Sequence, residues 1–314
     1  MRKTTRLLLV ISVILGIFLA LPAIGQTVNV EQIAIMRWYA ANSTFADISL
    51  PNGVPVAIAF DGTYMWVAGT SGVTRILASD PISSNMDTFM AGPSPVGVAF
   101  DGTYIWVTNG SGDIYKLRSD GSTEATFSLG TPALGIAFDG FYMWITLPSA
   151  NHVARMDPSG NVKTYATGAK PYGVAFDGTS VWVANAIANT VTRLTPTSTG
   201  TTTTSFSTGK APHGLAFDGT NIWVANWGAG SVTMIPLKTP TKPTTVTVGS
   251  SPQSVVFDGA SIWVTNSGGN SVTHLSTTGI VLQTYTVGSI PVGAAFDGTK
   301  IWVTNSGSAT VSRR

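Results

Sequence analysis

From residue 55 to the end, short apolar runs alternate with stretches rich in Gly, Asp, Asn, Ser and Thr. The segment beginning at Pro95 shows the unit. Pro95-Val-Gly-Val-Ala-Phe100 has β-branched residues and no helical period, so it predicts a strand. Asp101-Gly102 predicts a tight hairpin, because Gly takes positive φ at little cost and Asp bonds back into the turn. Tyr104-Ile-Trp-Val-Thr108 predicts the second strand and Asn109-Gly-Ser-Gly112 a turn. Ile114-Tyr-Lys-Leu117 predicts the third strand, Asp120-Gly121 another turn, and Ala125-Thr-Phe-Ser-Leu129 the fourth strand.

This unit recurs. Phe-Asp-Gly stands at Phe60, Phe100, Phe138, Phe176, Phe217, Phe257 and Phe296, at intervals of 38 to 41 residues. A tryptophan follows each Phe by six positions: Trp66, Trp106, Trp144, Trp182, Trp223, Trp263 and Trp302. A unit of about forty residues is too short to bury its own core, so its neighbours must supply the other face. Seven units of four antiparallel strands predict an all-β fold, a seven-bladed β-propeller. In the first strand Gly and Ala share one face and Val and Phe the other, which predicts small-against-large packing between blades.

The chain ends predict how the ring closes. Fourth strands are marked by Phe45, Phe89, Phe127, Tyr165, Phe206 and Tyr285, with Val246 in the remaining place. Phe45 precedes the first Phe-Asp-Gly, whereas the last unit stops at Val311-Ser-Arg-Arg314, level with a third strand. The orphan N-terminal strand is therefore expected to complete the seventh blade beside the C-terminal three. The connection after Phe45 reads four residues longer than its counterparts.

Before the repeats, Arg2, Lys3 and Arg6 precede an apolar stretch from Leu7 to Leu21, and Ala23-Ile24-Gly25 supplies small residues before a cut at Gln26. That pattern predicts a signal peptide over 1–25 and a secreted or periplasmic protein; an uncleaved membrane anchor is the alternative. Residues 26–42 do not repeat, and the propeller is expected over 43–314. Cleavage would leave 14 Lys and Arg against 15 Asp and Glu, so the pI near 8.8 belongs largely to the leader. No basic run remains, which argues against nucleic acid as a partner. The chain has no Cys, hence no disulfide, no lipid-modified Cys and no thiolate metal site. Membrane contact is expected only through the signal or anchor segment, and the protein is expected to be a monomer.

Most candidate chemistry in the repeats has a scaffold reading. The seven Asp (Asp61, Asp101, Asp139, Asp177, Asp218, Asp258 and Asp297) read as hairpin formers, as do Asp80, Asp120 and Asp157 at later turns. Asn109, Asn185, Asn226, Asn266 and Asn305 read as turn formers through side-chain-to-backbone bonds; Gly69 and Leu147 hold that place in blades one and three. The differences between units carry more information. The residue after the first-strand Pro should ring the mouth of the central channel: Val56, Val96, Leu134, Tyr172, His213, Gln253 and Val292. Four are aliphatic and three consecutive ones are not. With Lys170, Lys210 and the surplus Trp227, they define a shallow ligand site on blades four to six. Trp227 and Tyr172 would stack on the ligand, while His213, Gln253 and the lysines make polar contacts.

The phrases Trp106-Val-Thr-Asn109, Trp182-Val-Ala-Asn185, Trp223-Val-Ala-Asn226, Trp263-Val-Thr-Asn266 and Trp302-Val-Thr-Asn305 resemble the bacterial Tyr-Val-Thr-Asn propeller repeat, with Trp in place of Tyr. The resemblance spans residues 43–314 and reaches the wider group of NHL-type propellers and virginiamycin B (streptogramin) lyases. For the lyases it implies a His base beside a Mg²⁺ held near acidic residues. The chain has only three His (His152, His213 and His274) and two Glu (Glu31 and Glu124), and repeat phase assembles no His/Glu pair from them. The expectation is therefore a binding or interaction module with no catalytic residues, no metal and no cofactor. Its ligand would be a protein, a cell-envelope glycan or a small molecule. The alternative is a lyase- or lactonase-like enzyme using Mg or Ca.

Overall fold

Four-strand units joined by short connections stack side by side, and the computed structural model shows seven of them in a ring. It describes residues 47–81, 86–197 and 200–314. A short strand, β1 (Ile48–Ser49), comes first. Blade one is β2 (Pro55–Phe60), β3 (Tyr64–Gly69), β4 (Gly72–Leu77) and β5 (Met86–Phe89). Blade two is β6 (Pro95–Phe100), β7 (Ile105–Asn109), β8 (Asp113–Leu117) and β9 (Thr123–Ser128). Blade three is β10 (Ile136–Phe138), β11 (Met143–Leu147), β12 (His152–Met156) and β13 (Val162–Ala166). Blade four is β14 (Pro171–Phe176), β15 (Val181–Asn185), β16 (Thr190–Thr197) and β17 (Gly200–Ser207). Blade five is β18 (Pro212–Phe217), β19 (Asn221–Asn226), β20 (Ser231–Pro236) and β21 (Thr244–Thr247). Blade six is β22 (Pro252–Phe257), β23 (Ser261–Asn266), β24 (Ser271–Ser276) and β25 (Val281–Thr286). Blade seven has β26 (Pro291–Phe296), β27 (Ile301–Asn305) and β28 (Thr310–Arg313), and β1 is hydrogen-bonded outside β28. No helix among the described residues is long and apolar enough to cross a membrane. The expected signal peptide (1–25), the non-repeating segment 26–42 and Glu31 lie outside the described residues.

Ring closure holds, but its register differs from the expectation. Ile48 pairs with Val311, in the place where Phe89 pairs with Val73 and Tyr285 with Val272. Ile48, not Phe45, therefore fills the fourth-strand slot beside the third strand; Phe45 lies outside the described residues. Counted from Ile48 to Pro55, the connection is one residue longer than the six from Phe89 to Pro95, which removes most of the apparent excess. Leu50 N–H donates to Ala309 O and Ser312 Oγ to Asp47 Oδ1, tying the two ends together.

The Asp and Trp of each unit are partners. In all seven blades the Asp Oδ1 accepts backbone N–H groups two and three residues ahead at 2.6 to 2.9 Å. Its Oδ2 accepts the indole Nε1–H of the Trp five residues ahead at 2.6 to 2.7 Å. A buried indole needs a partner for its one donor, and a carboxylate is the strongest acceptor available. Six of these tryptophans are fully buried, and Trp263 is 9% exposed. Each ring removes about 150–250 Å² from water, on the order of 4–6 kcal/mol.

The third strand adds a second ring of contacts. The residue paired across from each Trp is Arg75, Lys116, Arg155, Arg193, Met234, His274 or Arg313. The Arg75 and Arg313 guanidiniums lie 5.8 and 4.8 Å from their indole centroids, and the Lys116 ammonium lies 5.2 Å from its own. His274 stacks on Trp263 at 4.1 Å. The Arg and Lys heads thus lie over the indole faces, a cation–π arrangement.

Blades meet through large side chains, as Trp66 packs on Ile105, Val107 and Leu117 of the next blade, and nearer the axis through main chain as well. A Cβ on Gly97, Gly135 or Gly173 would stand 2.3 to 2.4 Å from the carbonyl oxygen of Leu134, Tyr172 or His213 in the next blade. Gly is required there because a neighbouring backbone occupies the side-chain volume, and along the first strands the expected small-against-large packing is present, as Ala57 and Ala59 pack with Val98 and Phe100 of the next blade.

Three outcomes test this scaffold. Burial pushes the Asp258 and Asp297 carboxyls up, but hydrogen bonds from Trp263, Trp302 and the turn N–H groups outweigh it and hold both below 3.8. A lowered carboxyl stabilises the fold fully above its unfolded value and loses that contribution as pH falls through the folded value. Melting temperature should therefore drop as the solution is acidified below 3.8, and an Asp258→Asn/Asp297→Asn chain should show a shallower decline. At neutral pH, Asp258→Ala should cost about 1.5–3 kcal/mol in denaturant unfolding, since it strands a buried indole N–H. Separately, a chain starting at Pro51 lacks the outer strand of blade seven and should melt at a lower temperature by circular dichroism.

Candidate functional site

First strands of adjacent blades touch one another, so they line the axis of the ring. In six blades the ladder between first and second strands shifts register just after the opening Pro, at Pro55/Ala57, Pro95/Gly97, Pro171/Val174, Pro212/Leu215, Pro252/Val255 and Pro291/Gly293. A bulge leaves its extra residue unpaired and re-aims the side chain. Those residues include Val56, Val96, Tyr172, Gln253 and Val292, and with Leu134 they line a cavity of 330 Å³ on the axis.

The three non-aliphatic residues of this ring converge, with Trp227 beside them. Tyr172 and His213 stack with centroids 4.1 Å apart and planes 7° from parallel. His213 and Trp227 stack at 5.6 Å and 9°, so three parallel rings run from blade four to blade five. Gln253 of blade six braces the set: its Oε1 lies 3.1 Å from His213 Nδ1, and its Nε2 donates to the Tyr172 hydroxyl at 3.3 Å. In this arrangement His213 carries its proton on Nδ1. Burial favours the neutral imidazole and pulls His213 below its usual value; the Gln253 bond works the other way, and the nearby Lys170 charge adds to the lowering. Burial also raises Tyr172, against a smaller opposing effect of the Gln253 bond.

Trp227 stands on the β19–β20 loop, held by its own N–H to Ala211 O, and is 44% exposed. Lys170 immediately precedes Pro171 in a left-handed conformation (φ 55°), and its N–H is fixed by Asn151 Oδ1. Lys210 O accepts the N–H of Gly228, next to Trp227, so both exposed lysines flank the stack. Of the six residues singled out from the sequence, four are thus in direct contact and two frame them.

The remaining candidates fall elsewhere. His152 bonds to Ala150 O on the third strand of blade three, and His274 bonds to Ser261 Oγ on its Trp. Glu124 pairs with Arg118 on the outer edge of blade two. Among the described residues no three His, Asp or Glu lie close enough together to hold a metal ion. Nor are the repeated Asn mainly turn formers. Asn185, Asn226, Asn266 and Asn305 are buried, and each donates to two hydroxyls of the facing third strand, as Asn185 does to Thr190 and Thr192. Only Asn109 donates to a backbone oxygen, that of Ala91.

Solved structures of the same shape include virginiamycin B lyase from Staphylococcus aureus, at 18% identity over 85% of this chain and 97% of that one, with a TM-score of 0.72. A catalytically inactive variant of that enzyme with quinupristin gives 19% identity, the same coverage and a TM-score of 0.73. In fold, the chain is a virginiamycin B lyase-like β-propeller. Hydrazine synthase from Kuenenia stuttgartiensis matches this propeller equally well, at 16% identity over 87% of this chain and 98% of that one, with a TM-score of 0.72. Such different chemistries on one scaffold mean that the site, not the fold, must decide function. No protein-family model and no curated sequence matches the chain.

Sequence reasoning missed an exchange in blade one of this propeller. Asn52 precedes Pro55 by three residues, where blades four to seven carry Gly168, Gly209, Gly249 and Gly288, while Gly69 takes the Asn place. The Asn52 amide donates to Val67 O and Gly72 O, and a Cβ on Gly69 would collide with it. The same buried amide is delivered from the opposite side. The signal lay in the reciprocal Asn and Gly changes, but only the fold shows that the two positions touch.

The neutral, Gln-braced His213 can be checked by proton NMR titration. Its midpoint should lie below 6.5, and Gln253→Ala should lower it further by removing the bond that favours protonation. A native midpoint at or above 6.5 contradicts the arrangement.

Proposed function

We propose that the chain is a binding module, working outside the cytoplasm, that takes a small molecule at the channel mouth over blades four to six. One observation carries this reading: four side chains that differ from the repeat consensus, Tyr172, His213, Trp227 and Gln253, form a single stacked and hydrogen-bonded unit. Drift of exposed loops does not produce three parallel rings braced by an amide from a third blade. The unit opens onto a cavity with largely aliphatic walls, the usual make-up of small-ligand sites. Trp227 is backed by His213, and His213 by Tyr172, so little side-chain freedom remains to be lost on binding. Export rests on the basic and apolar leader read from the sequence.

The donor set does not favour the enzyme alternative. Mg²⁺ and Ca²⁺ take about six to eight oxygen ligands, usually with carboxylates among them. The mouth offers one imidazole, one phenol and one amide beside two lysines, with no carboxylate. No nucleophile and base pair is built there either.

The test is a small-molecule, envelope-glycan and protein screen by calorimetry on the whole chain, repeated with a His213→Ala/Trp227→Ala variant. Any ligand that binds the native chain should lose at least tenfold in affinity, equivalent to about 1.4 kcal/mol. A ligand that binds the variant unchanged removes the site from this face.

A further inference from the structure

The connections on the channel-mouth face are the seven loops between second and third strands and the seven between fourth and first strands, counting the link from β1 to β2. Together they hold two charged residues, Lys170 and Lys210. Both flank the stack. From residue 171 to 290, which takes in blades four to six, the acidic residues are Asp177, Asp218 and Asp258. All three sit in first-to-second-strand turns at the other end of the strands, occupied by their Trp and turn N–H groups. The face therefore carries two cations beside a polar cluster, with no carboxylate in its connections to neutralise them.

Below the rim the chemistry changes. The cavity walls are Val96, Leu134, Ile136, Val174, Leu215 and Val292, interrupted on one side by Tyr172 and Gln253. Its 330 Å³ falls at the lower end of the range for small-ligand pockets, roughly 300–1,000 Å³. The Tyr172 hydroxyl accepts from Gln253, so its own proton is left to donate. An apolar shaft under a cationic, hydrogen-bonding rim is complementary to a molecule with the opposite arrangement.

We propose that the ligand is a small organic anion with an apolar body, the body in the channel and the anionic head at the rim between Lys170, Lys210 and the Tyr172–Gln253 pair. This rests on the channel mouth being the binding site. A peptide or glycan would use the rim alone and leave the aliphatic shaft unused, whereas an amphiphilic anion uses both.

Three probes separate the parts: octanoate, octanol of the same chain length, and acetate, which has the head without the body. By calorimetry at low salt, octanoate should bind roughly tenfold tighter than octanol, with acetate weaker than both. Added salt should narrow the gap, because exposed charges are screened. Lys170→Met/Lys210→Met should bring octanoate down to octanol while leaving octanol unchanged. Equal affinity for the two in the native chain overturns the anion assignment, as does a gap that survives in the double variant, or no binding of either probe. Leu134→Trp, with Val96→Phe as a second way to fill the shaft, should abolish both while the circular-dichroism melt stays native. If octanol and octanoate bind equally but are lost in these variants, the site stands and only the preference for an anion falls. If both probes bind the filled variants unchanged, the site itself is misplaced.

Discussion

A single side-chain bond, from the indole N–H of the second strand to the carboxylate of the preceding turn, organises the whole ring. It joins three requirements that compete in most proteins. The hairpin needs an acceptor for its unpaired N–H groups, the indole needs one for its donor, and the wide space between blades needs a large ring. One Asp and one Trp five residues apart meet all three, and at Asp258 and Asp297 the surrounding N–H donors favour the ionised carboxylate. Because the bond lies within one hairpin, it forms from local chain and fixes how the indole is presented to the neighbouring blade.

The packing between blades follows from that presentation. Cationic or aromatic side chains of the third and fourth strands cover the indole, as Arg75 and Phe89 cover Trp66. Where first strands meet, glycines leave room for the carbonyls of the next blade, since a Cβ on Gly97, Gly135 or Gly173 would stand 2.3 to 2.4 Å from one. With large rings further out and glycines between the first strands, the seven blades pack in succession around the axis. The two-residue pairing of β1 with β28 turns an open stack into a ring and leaves no inner blade face uncovered.

On such a scaffold only a few positions are free to vary without cost, and the candidate site uses them. The bulge after each opening Pro ejects one side chain towards the axis in nearly every blade. Where the side chain is Val or Leu, it only lines the shaft. Over three successive blades it is Tyr172, His213 or Gln253, and adjacency around the ring brings them into one hydrogen-bonded unit. Burial beside that unit favours the neutral imidazole, and the two exposed lysines bring positive charge to the mouth.

The sequence alone determined the blade count, the strand order, the closure and the identity of the channel-mouth residues, because all of these are periodic and a period survives in one dimension. It also marked Trp227 and the two lysines, since each breaks the pattern. It misplaced the closing strand by reading Phe45 as the fourth-strand marker when Ile48 takes that place, because an aromatic is only one of several residues that can fill a slot set by pairing. It read the repeated Asn as turn formers and the Asp and Trp as separate features, since a hydrogen-bond partner is a matter of distance and direction. The stack of Tyr172, His213 and Trp227, braced by a residue 81 positions from Tyr172, was decided only by the tertiary structure. Residues so far apart in the chain meet because the ring sets neighbouring first strands side by side, and no local pattern encodes the angle at which their side chains arrive.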